Sequence, residues 1–138
     1  DLLAEARHGH PQEADVALEG WDDPVRGRVA WRTLVSGDRT PSEGMTIGVA
    51  EVLEADPATF RPHRHAQAET YYVLSGEGVM LLDGGEHRLR AGSVVFIPGG
   101  VMHGARGLGP EPLRLLYVLA ADRFGEVVYE FPDETPGV

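Results

Sequence analysis

Three histidines and one glutamate in this sequence have the residue types and spacing of a metal-binding set. His63 and His65 are two residues apart, so on a strand both side chains point to one face. Glu69 opens the next apolar run and can reach the same point, and a closed barrel would bring the distant His103 beside them. Three neutral imidazoles and one carboxylate suit a divalent transition metal and leave positions for water or substrate.

The remaining histidines are not expected to bind metal. His8 and His10 share the same spacing but lie in an acidic stretch flanked by Gly and Pro, and His87 lies beside a hairpin turn. The predicted cofactor is therefore one divalent transition metal ion. The ligand types do not choose among Fe, Mn, Ni, Co, Cu and Zn.

Tyr71 is the candidate catalytic residue. It lies two residues beyond Glu69 and so shares the ligand-bearing face of that strand. A phenol near a divalent metal ionises below its ordinary pKa of about 10. The phenolate could then remove an α-proton from a substrate whose carboxylate or carbonyl the metal polarises. The alternative role for Tyr71 is packing in the core, and the sequence leaves both open.

Five further residues are candidates for contact with a substrate. Aromatic faces attract a cation without a formal charge, and a guanidinium can hold a carboxylate through two hydrogen bonds. Core packing is the alternative for the aromatic residues, and exposure to solvent is the alternative for the arginine. The candidates are Trp31, Phe96 and Tyr117 for a cation, Arg61 for a carboxylate, and Gln67 in the ligand loop.

About ten short apolar segments, separated by turn signals, must position these residues. Gly and Pro together number 28 and are spread along the chain. This texture predicts an all-β antiparallel sandwich or closed barrel, and a small barrel can hold one ligand. The predicted strands are Val29–Val35, Met45–Leu53, Thr59–His65, Glu69–Leu74, Val79–Leu82, Glu86–Arg90, Val94–Ile97, Val101–Arg106, Leu113–Leu119 and Glu126–Phe131.

Residues 1–27 are predicted to form an acidic arm with a short helix, and residues 28–138 the barrel domain. Seven of the 22 acidic residues lie in the first 23 positions. One helical turn is also predicted at Ala121–Phe124.

The amino-acid composition excludes several classes of catalytic chemistry. The chain has 138 residues, a net charge of −10 and no Cys or Lys. Thiolate nucleophiles, disulfides and Schiff-base lysines are therefore excluded.

An acidic surface disfavours binding to nucleic acid and to anionic membranes, and no apolar run reaches the roughly 20 residues of a membrane span. No signal-peptide pattern opens the chain, so the expected location is the cytoplasm. The expected partners are a small-molecule substrate, such as a carboxylate, and a second copy in a homodimer.

Two motifs resemble those of the cupin superfamily. The first runs His63-Arg64-His65, three residues, Glu69, six residues, Gly76. The second runs Gly92, five residues, Pro98-Gly99-Gly100, two residues, His103. Fifteen residues separate Gly76 from Gly92, a spacing similar to that of small one-domain cupins. The resemblance implies a double-stranded β-helix, or jelly-roll barrel, with metal ligation by the three histidines and Glu69.

From about Arg28 to Phe131 the chain also resembles the small cupins that cleave dimethylsulfoniopropionate. The shared pattern includes Glu69-Thr70-Tyr71 and a late segment, Asp122-Arg123-Phe124-Gly125-Glu126-Val127-Val128-Tyr129. The resemblance implies a β-elimination that yields acrylate and dimethyl sulfide, with Tyr71 as the general base. The same fold serves many functions. A non-haem metal-dependent dioxygenase, a non-catalytic ligand-binding protein and a sugar isomerase are therefore the alternatives.

Overall fold

Alternation of apolar and polar residues along short strands builds this fold. The computed structural model describes residues 12–53 and 59–132. In the last long strand each alternate residue from Leu113 to Leu119 is buried, as expected where one face of a strand lines a core. The strands are β1 (Glu19–Asp23), β2 (Gly27–Val35), β3 (Thr46–Val52), β4 (Thr59–His63), β5 (Glu69–Ser75), β6 (Gly78–Leu82), β7 (Gly85–Leu89), β8 (Val94–Ile97), β9 (His103–Gly107) and β10 (Leu113–Leu119).

The ten strands form one antiparallel sheet with the order β7-β6-β9-β4-β2-β3-β10-β5-β8, and β1 pairs with β2. The fold is the double-stranded β-helix that the sequence predicts. One apolar core lies inside it, with fully buried side chains such as Met80, Ile97 and Leu113. In the part of the chain that the structure describes, no helix is long and apolar enough to cross a membrane.

Nine of the ten predicted strands match observed strands to within two residues at each end. The tenth prediction, Glu126–Phe131, is wrong. Residues Phe124–Glu126 form a 3₁₀ turn, slightly later than the helical turn predicted at Ala121–Phe124. The chain then runs beside β4 with one isolated bridge, between Arg64 and Glu130. Ring packing fixes this segment, since the Tyr129 and Phe131 rings lie 5.4 and 5.2 Å from the His63 ring.

The predicted acidic arm contributes a strand to the sheet. Residues 1–11, which include His8 and His10, lie outside the described residues. Glu13–Asp15 is a 3₁₀ turn, and β1 then pairs with β2 over its whole length. The sequence of β1, Glu-Gly-Trp-Asp-Asp, has few β-forming residues, so pairing and the single ring of Trp21 hold it in place. Division of the chain at residue 28 stays a prediction.

Replacing Trp21 tests whether β1 belongs to the barrel. The Trp21 ring lies 4.8 Å from Trp31, 5.2 Å from Tyr129 and 5.5 Å from Phe131. We expect Trp21→Ala to lower the free energy of unfolding by about 3 kcal/mol in urea titrations, as large-to-small core substitutions do. Leu18→Ala, at a side chain 60% exposed, is the matched control and should change it by less than about 0.5 kcal/mol. Equal effects of the two variants would show β1 to be a dispensable arm.

Candidate metal centre

The ends of three strands bring the four predicted ligands together. His63 is the last residue of β4 and His103 the first of β9, and the two are direct partners in the antiparallel pairing. Glu69 begins β5, and His65 lies in the loop between β4 and β5. A hydrogen bond from the turn that contains Gly100 holds this loop. The N–H of Gly100 donates to the His65 carbonyl at 2.8 Å. Gly100 has φ 79°, a conformation that glycine adopts without strain.

The ligand atoms converge on one point. Oε1 of Glu69 lies 3.1 Å from Nε2 of His65 and 3.3 Å from Nε2 of His103. The three imidazoles each offer a nitrogen within 4.8 Å of the other two. The His63 and His103 rings are 4.3 Å apart between centroids, and the His65 and His103 rings 5.0 Å apart. A single ion can therefore bind all three rings, and Glu69 is positioned to be its fourth ligand.

Backbone carbonyls orient every ring in the cluster. A carbonyl oxygen can only accept, so each Nδ1 carries a hydrogen, and in the neutral rings of His63 and His103 Nε2 presents its lone pair. Such outer hydrogen bonds also fix the orientation of metal-binding histidines. The three bonds are His63 Nδ1 to Arg61 O at 2.7 Å, His65 Nδ1 to Gln67 O at 3.0 Å, and His103 Nδ1 to Val101 O at 2.9 Å. Nε2 of His65 lies at hydrogen-bond distance from Oε1 of Glu69, 3.1 Å.

The cluster fits a bound cation in its burial as well as its geometry. The three histidines and Glu69 are all buried, with at most 4% of each residue exposed. Nε2 of His63 and Nε2 of His103 have no hydrogen-bond partner among the described residues. An unsatisfied buried acceptor costs about 1–3 kcal/mol, and a metal ion would take up both lone pairs. These donor types are those that divalent transition metals accept.

His63 is held in the neutral form that ligation requires. Burial lowers its pKa well below the ordinary 6.5, and the neighbouring His103 and His65 add to this because like charges disfavour protonation. The hydrogen bond to Arg61 acts in the opposite direction but does not outweigh them.

A cavity lined by aromatic side chains adjoins the cluster at Glu69. It is narrow, with a cavity volume of about 20 Å³. Among the described residues that line it, Glu69 is the one charged side chain, and the remaining polar side chains are phenols and indoles. The lining residues are Trp21, Val29, Trp31, Ala50, Val52, Phe60, Glu69, Tyr71, Leu115, Tyr117, Phe124 and Tyr129.

The structure brings Tyr71 and two of the five predicted substrate contacts to this cavity. Tyr71 is buried, and its ring lies 6.1 Å from that of His103. Trp31 and Tyr117 line the same space. Burial raises the pKa of the Tyr71 hydroxyl well above 10, and the charges on Glu69, Tyr129 and Tyr117 raise it further. Without a nearby cation Tyr71 is therefore a neutral phenol.

The other three predicted contacts are not brought to the cavity. Phe96 lies on the outer face of β8 with 63% of its surface exposed, because its neighbour Ile97 takes the buried position. Arg61 and Gln67 are half-buried and hold the histidines through their backbone carbonyls. Oε1 of Gln67 is buried without a hydrogen-bond partner among the described residues.

Four aromatic residues of the cavity are absent from the sequence prediction of the site. Phe60 stacks on His63, with 4.1 Å between ring centroids and 20° between planes. Simple alternation misplaces Phe60 because the register of β4 shifts between Phe60 and His63. Trp21 lies in the predicted arm, and Phe124 and Tyr129 lie in the late segment. The aromatic residues of that late segment were the signal from which Phe124 and Tyr129 could have been predicted to line the site.

Comparison with known proteins agrees with this geometry. A family model described as Cupin domain matches residues 51–119. Dimethylsulfoniopropionate lyase DddW from Ruegeria pomeroyi is 40% identical over 126 residues, which cover 88% of this chain and 81% of that protein. The chain belongs to the cupin family.

Solved cupin structures share the fold at lower identity. The polyketide cyclase RemF from Streptomyces resistomycificus superposes on this cupin with a TM-score of 0.74 at 22% identity, covering 90% of this chain and 84% of that one. A predicted oxalate decarboxylase from Thermotoga maritima gives a TM-score of 0.69 at 24% identity, covering 80% and 96%. Identities this low support the architecture alone.

Removal of two imidazoles tests the metal centre of this cupin. We expect the double variant His63→Ala/His65→Ala to lose uptake of a divalent transition metal, measured by elemental analysis after loading and desalting, because only two ligands remain. His87→Ala, which changes an exposed histidine on β7, is the control and should bind as the unchanged protein does. Undiminished uptake by the double variant would refute ligation by this cluster.

The stability of the metal-free protein should depend on His63 as pH falls. The unfolded chain protonates this residue below about pH 6.5, whereas burial keeps it neutral in the folded state. Its contribution to stability is therefore full above pH 6.5 and decreases as pH falls below it. We expect the unfolding free energy of chelator-treated protein to fall by up to about 1.4 kcal/mol more per pH unit than that of His63→Gln. Identical slopes would contradict this.

Proposed function

We propose that this cupin is a metal-dependent lyase that removes the α-proton of dimethylsulfoniopropionate, or a close sulfonium carboxylate, and releases acrylate and dimethyl sulfide. One observation carries the proposal. In a chain 40% identical to a dimethylsulfoniopropionate lyase, an aromatic cavity with a single charged lining group, Glu69, adjoins three convergent imidazoles. The cavity and the cluster share Glu69, so a substrate in the cavity would lie against the ligand set.

His63, His65, Glu69 and His103 would hold one divalent transition metal ion. When bound, such an ion polarises the substrate carboxylate and stabilises the negative charge that develops as the α-proton leaves. The ligand types leave the identity of the ion open.

In this proposal Tyr71 would take the α-proton. It is two residues from Glu69 on β5 and lines the cavity. Apart from burial, the charge on Glu69 is the largest cause of its raised pKa. Ligation of that carboxylate by a cation would offset this charge, so the group that binds the metal would also lower the pKa of the phenol from its raised value in the metal-free protein. Tyr71 can then serve as a phenolate base.

Aromatic rings of the cavity suit the sulfonium group. The Trp31 ring lies 4.8 Å from Trp21 and 5.7 Å from Phe124, so the three rings form a continuous surface. Aromatic faces attract cations, by about 2 kcal/mol or more per contact when water is excluded. This surface would hold the sulfonium cation through ring faces, since Glu69 is the one charged side chain among the described lining residues.

Two broader predictions about the molecule accompany this proposal. A homodimer and a cytoplasmic location stay predictions from the sequence. Whatever the oligomeric state and location, the substrate would be a small carboxylate.

Release of dimethyl sulfide is the direct test of the function. The protein is loaded separately with each of the six metals, and at least one loaded form should produce dimethyl sulfide in the headspace and equimolar acrylate from dimethylsulfoniopropionate. Chelator-treated protein should not. Oxygen consumption with ferrous iron and no sulfide release would favour a dioxygenase. Ligand-dependent thermal stabilisation without product would favour a binding protein, and either result would refute the lyase.

Substitution of the proposed base separates chemistry from metal binding. We expect Tyr71→Phe to keep its metal and to lose at least about 100-fold in kcat, the lower end of what a positioned base contributes. Tyr72→Phe is the matched control. Its neighbouring phenol is 45% exposed on the outer face, so activity should be unchanged. An active Tyr71→Phe variant would remove Tyr71 from the mechanism.

A further inference from the structure

A line of three polar groups connects the cavity to the protein surface. The hydroxyl of Tyr117, which lines the cavity, lies 3.4 Å from Oγ1 of the buried Thr33. Thr33 Oγ1 in turn donates to Oε2 of Glu19 at 3.2 Å. The Glu19 side chain is 35% exposed, so this end of the line is in contact with solvent.

The sheet is built to allow this line. Thr33 on β2, Gly48 on β3, and Tyr117 on β10 are direct partners in the strand pairing, and Tyr71 on β5 continues the row. A side chain at Gly48 would collide with the Tyr117 hydroxyl and lie 2.6 Å from the Arg32 carbonyl. Because Gly48 has no side chain, the Tyr117 ring can cross β3 and bring its hydroxyl to Thr33.

The hydrogen bonds of the line have one direction. A carboxylate only accepts, so Thr33 uses its single hydrogen on Glu19. Tyr117 must then donate to Thr33, and its own oxygen is left to accept from the cavity. Burial raises the pKa of Tyr117, so this hydroxyl keeps the proton that it donates. Arg39 holds the outer end, with its guanidinium 3.4 Å from Glu19 and 3.0 Å from the Thr33 carbonyl.

The proposed reaction needs such a route because it produces a proton. The α C–H bond breaks and its electron pair forms the C=C bond of acrylate. The C–S bond breaks and its electron pair leaves with dimethyl sulfide. One proton per turnover therefore remains on Tyr71, inside a cavity whose lining is mostly apolar. Glu69, the charged group there, belongs to the proposed ligand set.

The geometry points to Tyr117, Thr33 and Glu19 as a proton relay that carries this proton from the cavity to solvent. The inference rests on the proposed function. Tyr71 and Tyr117 are register partners and line the same cavity, so water held there would carry the proton from Tyr71 to the Tyr117 oxygen. The phenolic proton then moves to Thr33 as the Thr33 proton moves to Glu19, which releases it to solvent. Both bonds are longer than the usual 2.7–2.8 Å, as catalytic hydrogen bonds often are before substrate binds.

The relay can be tested without turnover, by the exchange of the Tyr117 hydroxyl proton with solvent in NMR spectra of the full chain. Glu19→Gln and Thr33→Val should each slow this exchange about tenfold, and Thr33→Ser should restore it. Glu86→Gln is the control, since Glu86 is also a surface carboxylate paired with an arginine, at 3.1 Å from Arg106. Exchange that is equally fast in Glu19→Gln and in the control would overturn the relay.

Turnover gives a second, independent measurement. In dilute buffer Glu19→Gln should lower kcat for dimethyl sulfide release about tenfold with little change in KM, and added formate should restore it at the exposed end. Thr33→Val should lower kcat in the same way, but formate should not restore it because the break is internal. Unchanged kcat in Glu19→Gln, which alters a partly exposed position, would overturn the relay even if Thr33→Val failed to fold. Absence of lyase activity in the unchanged protein would instead refute the proposed function, and the exchange experiment would still decide whether the line conducts protons.

Discussion

The arrangement of the site depends on three buried imidazoles whose orientation the backbone fixes. His63, His65 and His103 each donate from Nδ1 to a carbonyl two residues away in the chain, so Nε2 of His63 and of His103 is left for a shared partner, and Nε2 of His65 lies beside Glu69. Glu69 is buried among them. A carboxylate in this position is costly unless a positive charge or several hydrogen bonds compensate it. The cluster is therefore a set of electron-pair donors whose burial favours a cation.

The sheet supplies the precision that this cluster needs. His63 and His103 pair directly across β4 and β9, which fixes the distance between two ligands through the backbone and not through long side chains. The register shift before His63 turns Phe60 inward, where it stacks on the same imidazole. Glu69, at the start of β5, belongs both to the cluster and to the lining of the cavity.

Local sequence sufficed for most strands because strands depend on short-range patterns, whereas the barrel had to bring the distant His103 to the other candidate ligands. Alternation and turn signals locate nine strands, but β4 ends at His63, so His65 lies in the loop that follows and not on the strand where its spacing put it. Aromatic type alone misled at Phe96, which alternation turns outward beside the buried Ile97, and alternation could not foresee the register shift beside Phe60. The strand β1 and the late aromatic segment depend on contacts with distant residues, through Trp21 and Tyr129, that no local pattern encodes.

Exclusion of water from the cavity has opposite effects on two charges of the proposed reaction, the sulfonium cation and the Tyr71 phenolate. An aromatic cavity stabilises a sulfonium cation, but the same exclusion of water raises the pKa of Tyr71 and opposes its use as a base. Glu69 links Tyr71 to the metal, because its charge raises the pKa of Tyr71 and is also the charge that a metal ion would neutralise. Desolvation also leaves a newly formed proton with few acceptors, so a mostly apolar cavity needs an exit built from hydroxyl groups. The hydroxyl groups of Tyr117 and Thr33 provide such an exit, at the position where Gly48 leaves room for the Tyr117 ring to cross β3.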